Sequence, residues 1–487
     1  MKKWLMRGIL ILIIVMTIQT ASAATVYEVT TMQEFIVATR TGVVPLSENV
    51  IIEIKDDLVI YGQEIAFIPK HVIINGNGNN ITFHNKGIFI NGSSVEFNNL
   101  NFRNSTGSNY DLIKIVNGTA KFESCIFENN IMYSNNVTIT PKLIYAIGPQ
   151  LGELKINNST FVDNKGAVLV AEETISLMGL PKKGTVEIKN TNVKQVATEF
   201  AYIFAIANMK DVFIENVTVN DSQNRHPVFW IISTDFNMTG LTIENTTMWG
   251  NATVLIQRSN GTIQNSYFGN NTLSPQMTMR IEQSDVKILQ NTFYYSFHSW
   301  QAGASNITAA FNTAYPGLQP DMRGNGNLPV ISQEMYETYF GTNLPAQNGG
   351  YAKTIKLKDS EQNPAVEQIT FEEYVAIMGT SPDDDRDATG SKRLRGERID
   401  LGAVESTYKK SVIDKIIDNL FGGGDDENGE PGNPTKPSLI KFLFGEDSIF
   451  RKLGSLLYHI MNGYVKADIP LISEIHQKAI DLLRLQP

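Results

Sequence analysis

Short stretches that alternate between apolar and polar positions recur along the middle of the chain, and each ends in a polar residue followed by a second apolar pair. The first copy is Phe97 to Phe102 and the second is Phe122 to Phe127. The remaining copies are Ile156 to Phe161, Ile188 to Val193, Ile214 to Val219, Ile243 to Met248, Ile263 to Phe268 and Ile288 to Phe293. This alternation predicts a short strand with one buried face, repeated in eight rungs.

The third column of the repeat is usually Asn. Asn tolerates the left-handed backbone region and bonds backbone groups with its amide, so it can end one strand and start the next at a new angle. Stacked copies are expected to align these amides in a buried ladder, because buried amides need partners. The ladder residues are Asn99, Asn158, Asn190, Asn216, Asn245 and Asn265.

The spacing of the rungs indicates a solenoid. The last apolar column falls at intervals between 20 and 34 residues from Phe102 to Phe293. A β-helix tolerates this scatter because insertions enter loops on the outside of the coil. A second apolar strand precedes each copy, for example Val254 to Ile256. The sequence therefore predicts an all-β parallel β-helix over residues 81–312.

The N-terminus has the features of an export signal. A basic start with Lys2, Lys3 and Arg7 precedes the apolar run Gly8 to Ile18, and Ala21-Ser22-Ala23 matches a cleavage site. The run is shorter than the roughly 20 residues that span a bilayer, which disfavours an uncleaved anchor. We expect a signal peptide at residues 1–23 and a secreted or cell-surface protein with no transmembrane anchor after cleavage.

The ends of the β-helix need covers, because open sheet edges promote association. Residues 24–80 are predicted to form an N-terminal cap and first coil, with a capping box from Thr31 to Glu34. Residues 313–405 are predicted to form the loop-rich C-terminal end of the β-helix domain. Residues 406–437 contain a helix and a flexible linker. Residues 438–487 form a small α-helical module that could dock a partner.

The C-terminal end carries a motif. The segment Asp383 to Asp387 is followed by Gly390, Arg395-Gly396 and Ile399 to Glu405. This pattern resembles parallel β-helix surface proteins that end in D-x-D-G…R…G…V-D-I-G-A-Y-E, a family common in bacteria and in the adhesin-like proteins of methanogenic archaea. The resemblance implies a single-stranded right-handed parallel β-helix of the pectin-lyase-like type.

The acidic segment has two interpretations. Asp383, Asp385 and Asp387 alternate in sequence, as carboxylates that bind calcium often do, since Ca²⁺ takes six to eight oxygen ligands. The EF-hand spacing is absent. The interpretation that we favour is a solvated acidic turn with no cofactor.

Composition excludes some classes of function. The chain has 41 basic and 50 acidic residues, a net charge of -9, so no basic excess indicates a nucleic acid partner. Fifteen N-x-S/T sequons between Asn80 and Asn306 fit a surface glycoprotein. The sequons at Asn158, Asn216 and Asn245 coincide with the predicted ladder, and we expect them to be buried and unused. The one cysteine, Cys125, is expected in the core.

Two functions remain open. The first is an adhesin-like protein that binds surface glycans or partner cells without catalysis. The second is a polysaccharide lyase or glycoside hydrolase, which needs paired carboxylates, whereas the acids of the rungs are scattered. Candidate glycan-stacking and flanking basic residues are Arg225, His226, Trp230, Trp249, Tyr294, Tyr295 and Trp300. The alternative for Trp230 is that it packs inward.

Overall fold

The computed structural model describes residues 24–407, apart from 41–48, 69–70, 135–140, 175–183, 199–201, 250–251, 274–276, 296–299, 317–323 and the single positions 351, 361 and 397. The predicted signal peptide, most of the predicted linker and the predicted α-helical module therefore lie outside the described residues. Within the described part of the chain, no helix is long and apolar enough to cross a membrane.

The described strands stack in parallel rows, one strand of each row per coil, and this establishes a parallel β-helix. The first row is a ten-stranded sheet. Its strands are Ile65–Ala66, Ile88–Asn91, Ile113–Val116, Lys142–Ile147, Ala167–Glu172, Phe204–Ala207, Phe229–Ile232, Val254–Gln257, Met279–Glu282 and Trp300–Gly303.

The second and third rows belong to one 24-stranded sheet that bends around the coil. The second row contains Thr25–Val29, Asn49–Ile54, His71–Asn75, Ser94–Asn98, Thr119–Glu123, Glu153–Asn157, Thr185–Lys194, Asp211–Asn220, Asp235–Thr239, Asn260–Gln264, Asp285–Leu289 and Asn306–Ala310. The third row contains Leu58–Tyr61, Asn80–His84, Asn101–Arg103, Ile126–Glu128, Thr160–Val162, the second halves of Thr185–Lys194 and Asp211–Asn220, Thr242–Glu244, Tyr267–Gly269, Thr292–Tyr294, Thr313–Tyr315 and Leu328–Pro329.

A fourth, shorter row completes the coil. Its strands are Thr106–Ser108, Ile131–Tyr133, Ala197–Thr198, Gln223–Asn224, Thr247–Met248 and Thr272–Leu273. One antiparallel pair, Ala346–Gln347 with Lys353–Thr354, lies beyond the coils.

Single residues with positive φ separate the rows, and Asn occupies many of these bends. Asn99, Asn158 and Asn190 separate the second row from the third, with φ between 48° and 50°. The predicted turn geometry of the Asn column is thus confirmed at these positions. A lone left-handed residue redirects the chain between two extended segments, and Asn accepts this conformation more readily than most residues.

The structure differs from the predicted register in one copy of the repeat. Met238 pairs with Ile214, and Ile243 pairs with Val219 at the end of the motif. Gly240, with φ of 68°, therefore occupies the Asn column in this coil. Asn245 belongs to the next bend, between the third and fourth rows. The prediction that Asn245 joins the ladder is wrong, because both bends select Asn and look alike in sequence.

The predicted ladder forms only in part and is not buried. Asn190 donates to the Oδ1 of Asn158 at 3.1 Å, and Asn216 donates to the Oδ1 of Asn190 at 2.7 Å. Asn158 and Asn245 are exposed, and Asn216 is half-buried. The expectation that these amides and their sequons are buried is therefore wrong, since a left-handed residue at the bend points its side chain outward.

A buried amide column does exist, one position further along the bend. The Nδ2 of Asn291 donates to the Oδ1 of Asn312, and the Nδ2 of Asn312 donates to the Oδ1 of Asn327, at 3.1 and 2.9 Å. Their Nδ2 atoms also donate to main-chain carbonyls such as that of Ile288. Inward amides thus satisfy the interior of the bend at the position where two other coils place the buried Leu100 and Leu241.

The core consists of stacked side chains. Phe127 lies between Phe102 and Phe161, with ring centroids 4.7 and 4.5 Å apart. Phe204 stacks on Phe229 at 4.8 Å in the first row. Equivalent residues of successive coils meet in this way because the strands pair in register at a spacing of about 4.8 Å.

Helices cover both ends. Met32–Arg40 begins at the predicted capping box, in which the backbone N of Glu34 donates to Thr31 Oγ1 and the carboxylate accepts from the backbone N of Thr31. At the other end Gln333–Phe340 and Phe371–Met378 follow the last coils. Parallel pairing continues past residue 312 to Leu328–Pro329.

The C-terminal motif closes this end through a buried arginine. Arg393 is fully buried, and its Nη2 donates to the main-chain carbonyl of Gly402 at 2.6 Å. Its guanidinium lies 4.7 Å from the centroid of the Phe311 ring. Within the described residues, Glu405 of the motif pairs with Arg393 and not with Arg395, the arginine of the sequence motif.

Candidate functional site

A groove crosses the outer face of the first row where two adjacent outward positions are alanines. In Phe204–Ala207 the inward residues are Phe204 and Ile206, so Ala205 and Ala207 face outward. The flanking coils place larger side chains at the paired positions, Val170 before Ala205 and Trp230 after it. The missing side-chain volume leaves a cavity of about 240 Å³. Its lining includes Glu172, Asn208, Ile232 and Arg258.

Trp230 forms one wall of the groove and does not pack into the core. Its ring stacks on Tyr202, with centroids 4.6 Å apart and planes inclined by 24°. The indole Nε1 donates to Gln257 Oε1 at 2.8 Å, and Gln257 Nε2 donates to Glu282 Oε2 at 2.7 Å. This chain of bonds fixes the orientation of the indole. The inward alternative for Trp230 is wrong, because the inward positions of its strand are Phe229 and Ile231.

His226 contacts this wall through the ring of Tyr202. Its ring lies 5.0 Å from that of Tyr202. Burial lowers the pKa of the His226 imidazole below its ordinary value, and the neighbouring Arg225 guanidinium lowers it further. The structure thus brings His226, Tyr202 and Trp230 together, and the neutral imidazole is the form that packs on the phenol ring.

Trp249 lies on a different row. It follows Thr247–Met248, whose residues pair with Gln223 and Asn224, so Trp249 comes next to the coil position of Arg225. Its backbone N donates to the carbonyl of Asn224, and its side chain is 59% exposed. Trp249 does not line the groove.

The remaining aromatic candidates are separate from the groove. Tyr294 and Tyr295 contact each other with centroids 4.7 Å apart, and both contact Tyr315. Tyr336 of the C-terminal end packs on Tyr315 at 4.6 Å. This cluster joins the last coils to the segment that follows them. Trp300 pairs in register with Met279, and its side chain lies outside the described residues.

The acidic candidates stabilise the C-terminal end. Asp387 is buried, and its Oδ1 accepts from the backbone N of Thr389 and Ser391. Asp385 accepts from Gln290 Nε2 at 3.2 Å. Asp383 is exposed. Within the described residues, no group of three or more His, Cys, Asp or Glu side chains is placed to hold a metal ion. These residues do not fit a calcium site.

The groove offers few groups for catalysis. Glu172 is the carboxylate of its described lining. The adjacent Glu173 is buried and accepts from the backbone N of Gly184 at 3.0 Å. The Cys125 thiol lies in the core, where burial raises its pKa to about 12. A thiol that stays protonated is a poor nucleophile.

The sequence did not reveal Tyr202, Ala205, Ala207 or Glu172 as site residues. The available signal was the pair Ala205 and Ala207, two small outward residues in an otherwise bulky row. That signal becomes visible only when the register between coils is known, and insertions of different length hide it.

Neither a family model nor a curated relative matches the chain. Among solved structures, it is similar to the Streptococcus pneumoniae surface protein and adhesin PfbA, with 11% identity over 53% of this chain and 86% of that chain and a TM-score of 0.31. It is also similar to a mannuronic acid specific polysaccharide family 6 lyase from human gut microbiota, with 11% identity over 60% of this chain and 86% of that chain and a TM-score of 0.24.

Proposed function

We propose that this chain is an exported, adhesin-like β-helix protein that binds a carbohydrate without catalysis in the groove beside Trp230. The observation that carries the proposal is the ring of Trp230, which is stacked on Tyr202 and borders a groove lined by two alanines. Aromatic rings provide a large rigid surface for the apolar face of a sugar ring, and a few polar groups at the rim fix its orientation.

The groove is built to keep its shape when empty. The indole is fixed by its hydrogen bond to Gln257, and the floor belongs to paired strands. Binding to a rigid site loses little conformational entropy. The predicted export signal at residues 1–23 supports an extracellular ligand. A cell-surface glycan, on the producing cell or on a partner cell, is the ligand class that fits this location.

The arrangement of carboxylates favours binding over hydrolysis. Glycosidases place two carboxyl groups about 5–9.5 Å apart. Glu172 and Glu282 share one column of the first row but are separated by four coils. At about 4.8 Å per coil this is about 19 Å. Glu282 is also held by Gln257 and Arg280.

The proposal is tested on a glycan array with the full chain, followed by calorimetry on the best ligand. We expect Trp230→Ala to weaken binding by roughly tenfold or more, because it removes the stacking wall. Trp249→Ala is the matched control, since Trp249 is exposed but lies outside the groove. The site would be refuted if the two substitutions weakened binding equally, or if the full chain bound no glycan on the array.

A second assay addresses catalysis. The full chain is incubated with the bound polysaccharide, and reducing ends and the ultraviolet absorbance of unsaturated sugars are followed. We expect no turnover. Turnover that disappears in Glu172→Gln would overturn the non-catalytic proposal and favour a lyase or hydrolase.

A further inference from the structure

The outer column that contains Trp230 continues along the first row beyond the groove. In successive coils it contains Lys114, Tyr145, Val170, Ala205 and Trp230. Tyr145 and Trp230 are three coils apart, about 14 Å at about 4.8 Å per coil. Two aromatic residues therefore delimit a shallow stretch in which the side chains are small.

Two ammonium groups lie at the Tyr145 end. Lys142 Nζ is 4.3 Å and Lys114 Nζ is 5.9 Å from the centroid of the Tyr145 ring. Lys142 also lies 3.9 Å from Asp111 Oδ1, and both side chains are largely buried. Lys114 forms no ion pair with any residue that the structure describes. Asp111 interacts with both ammonium groups, and Glu172 of the next coil is the second carboxylate whose charge acts on Tyr145.

The Trp230 end also has a cation. Arg258 lines the groove, its residue is exposed, and within the described chain no carboxylate pairs with it. Arg280, by contrast, is paired with Glu282, with 2.5 Å between Nη2 and Oε1. A guanidinium without a protein partner is suited to bind a carboxylate or sulfate in two hydrogen bonds.

A carboxylate lies between these two ends. Glu172 lines the groove and stands one coil from Ile147 and one from Ala207. An anionic group placed beside it would be repelled, whereas sugar hydroxyls could donate to it. The pattern of charge along the face is therefore positive, negative, positive.

We infer that the ligand is an acidic glycan chain in which charged and neutral sugars alternate. One anionic group would lie at Lys114 and Lys142, another at Arg258, and the hydroxyls of a neutral sugar would lie at Glu172. This inference rests on the proposed function and specifies the ligand class of the same groove.

The probes are hyaluronan, in which charged and neutral sugars alternate, polygalacturonate, in which every sugar is charged, and neutral dextran. We expect the full chain to bind hyaluronan more tightly than the other two polymers, and we expect binding to weaken as salt is raised. Lys114→Ala and Arg258→Asn are each expected to weaken binding to hyaluronan about fivefold or more. Arg280→Gln is the matched control, because Arg280 is already paired, and its effect should stay below about twofold.

The outcomes separate the two proposals. Binding of dextran or polygalacturonate at equal strength to hyaluronan, or no effect of Lys114→Ala, would refute the alternating acidic ligand. The groove itself would stand if Trp230→Ala still weakened binding by roughly tenfold or more. If Trp230→Ala bound every polymer as tightly as the wild type does, the groove would be refuted as the binding site. Melting curves of each variant establish that the fold is intact.

Discussion

Arg393 and Glu405 form an ion pair inside the C-terminal end of the solenoid, with 3.1 Å between Nε and Oε1. Both side chains are almost completely buried, at 0% and 2% exposure. The backbone N of Asp400 donates to the Glu405 carboxylate, and Arg393 donates to the Asp400 carbonyl. The motif at residues 399–405 is thus a structural closure of the last coils.

Substitution of Arg393 by Met is expected to lower the free energy of unfolding by about 3–5 kcal/mol. The reason is that Glu405 would remain buried without its counter-charge. Denaturant unfolding followed by circular dichroism measures the change. Lys155→Met is the control, because its pair with Glu153 is exposed at the surface and should contribute about 1 kcal/mol or less. A similar loss in both variants would contradict the closure role.

The two amide columns are expected to differ in their contribution to stability. Asn312→Ala removes a buried amide that accepts from the backbone N of Asn291 and donates to the carbonyl of Ile288. Leaving these groups unsatisfied should cost about 2–4 kcal/mol. Asn190→Gly keeps the left-handed backbone and removes only an exposed amide, and it should cost less than about 1 kcal/mol. The same denaturant titration compares the two, and a larger loss in Asn190→Gly would contradict the assignment.

The fold could be predicted from sequence because each coil repeats the same physical requirement, an inward apolar pair on either side of a bend. The register could not be fully predicted. Gly240 replaces Asn in one coil, and Asn245 at the following bend produces a false copy of the motif five residues later. Both bends need a left-handed residue, so sequence alone cannot tell them apart.

The groove escaped prediction for a different reason. Aromatic and charged residues are the usual candidates for binding, and the sequence predicted Trp230 for this reason. The space beside Trp230 exists because two alanines have small side chains, and no residue type in the sequence marks such a space. Tyr202 became part of the site only through its contact with Trp230 across one coil.

Acidification is expected to destabilise the wall of the groove. The folded-state pKa of His226 is lowered, so its contribution to stability is complete above the ordinary value of 6.5 and is lost as the pH falls through the folded value. The melting temperature of the wild type should therefore fall more than that of His226→Asn between about pH 7.5 and about pH 5. His71→Asn, at an exposed position, is the control and should follow the wild type. Parallel behaviour of His226→Asn and wild type would refute the prediction.

Arg258 is expected to lower the free energy of unfolding and to strengthen binding of the acidic glycan. It occupies the bend after the first row with φ of 50°, a conformation that Asn208 adopts at the equivalent bend two coils earlier. An arginine in the left-handed region is strained relative to asparagine, so Arg258→Asn should raise the free energy of unfolding by about 0.5–1 kcal/mol. The same substitution should weaken binding of the acidic glycan, since it removes the unpaired guanidinium.

Ser233→Asn is the control, because Ser233 stands at the same bend with φ of 51° but does not line the groove. It should stabilise the fold without changing affinity. Loss of stability in Arg258→Asn would show that the guanidinium supports the fold and that ligand binding does not explain its presence at the bend.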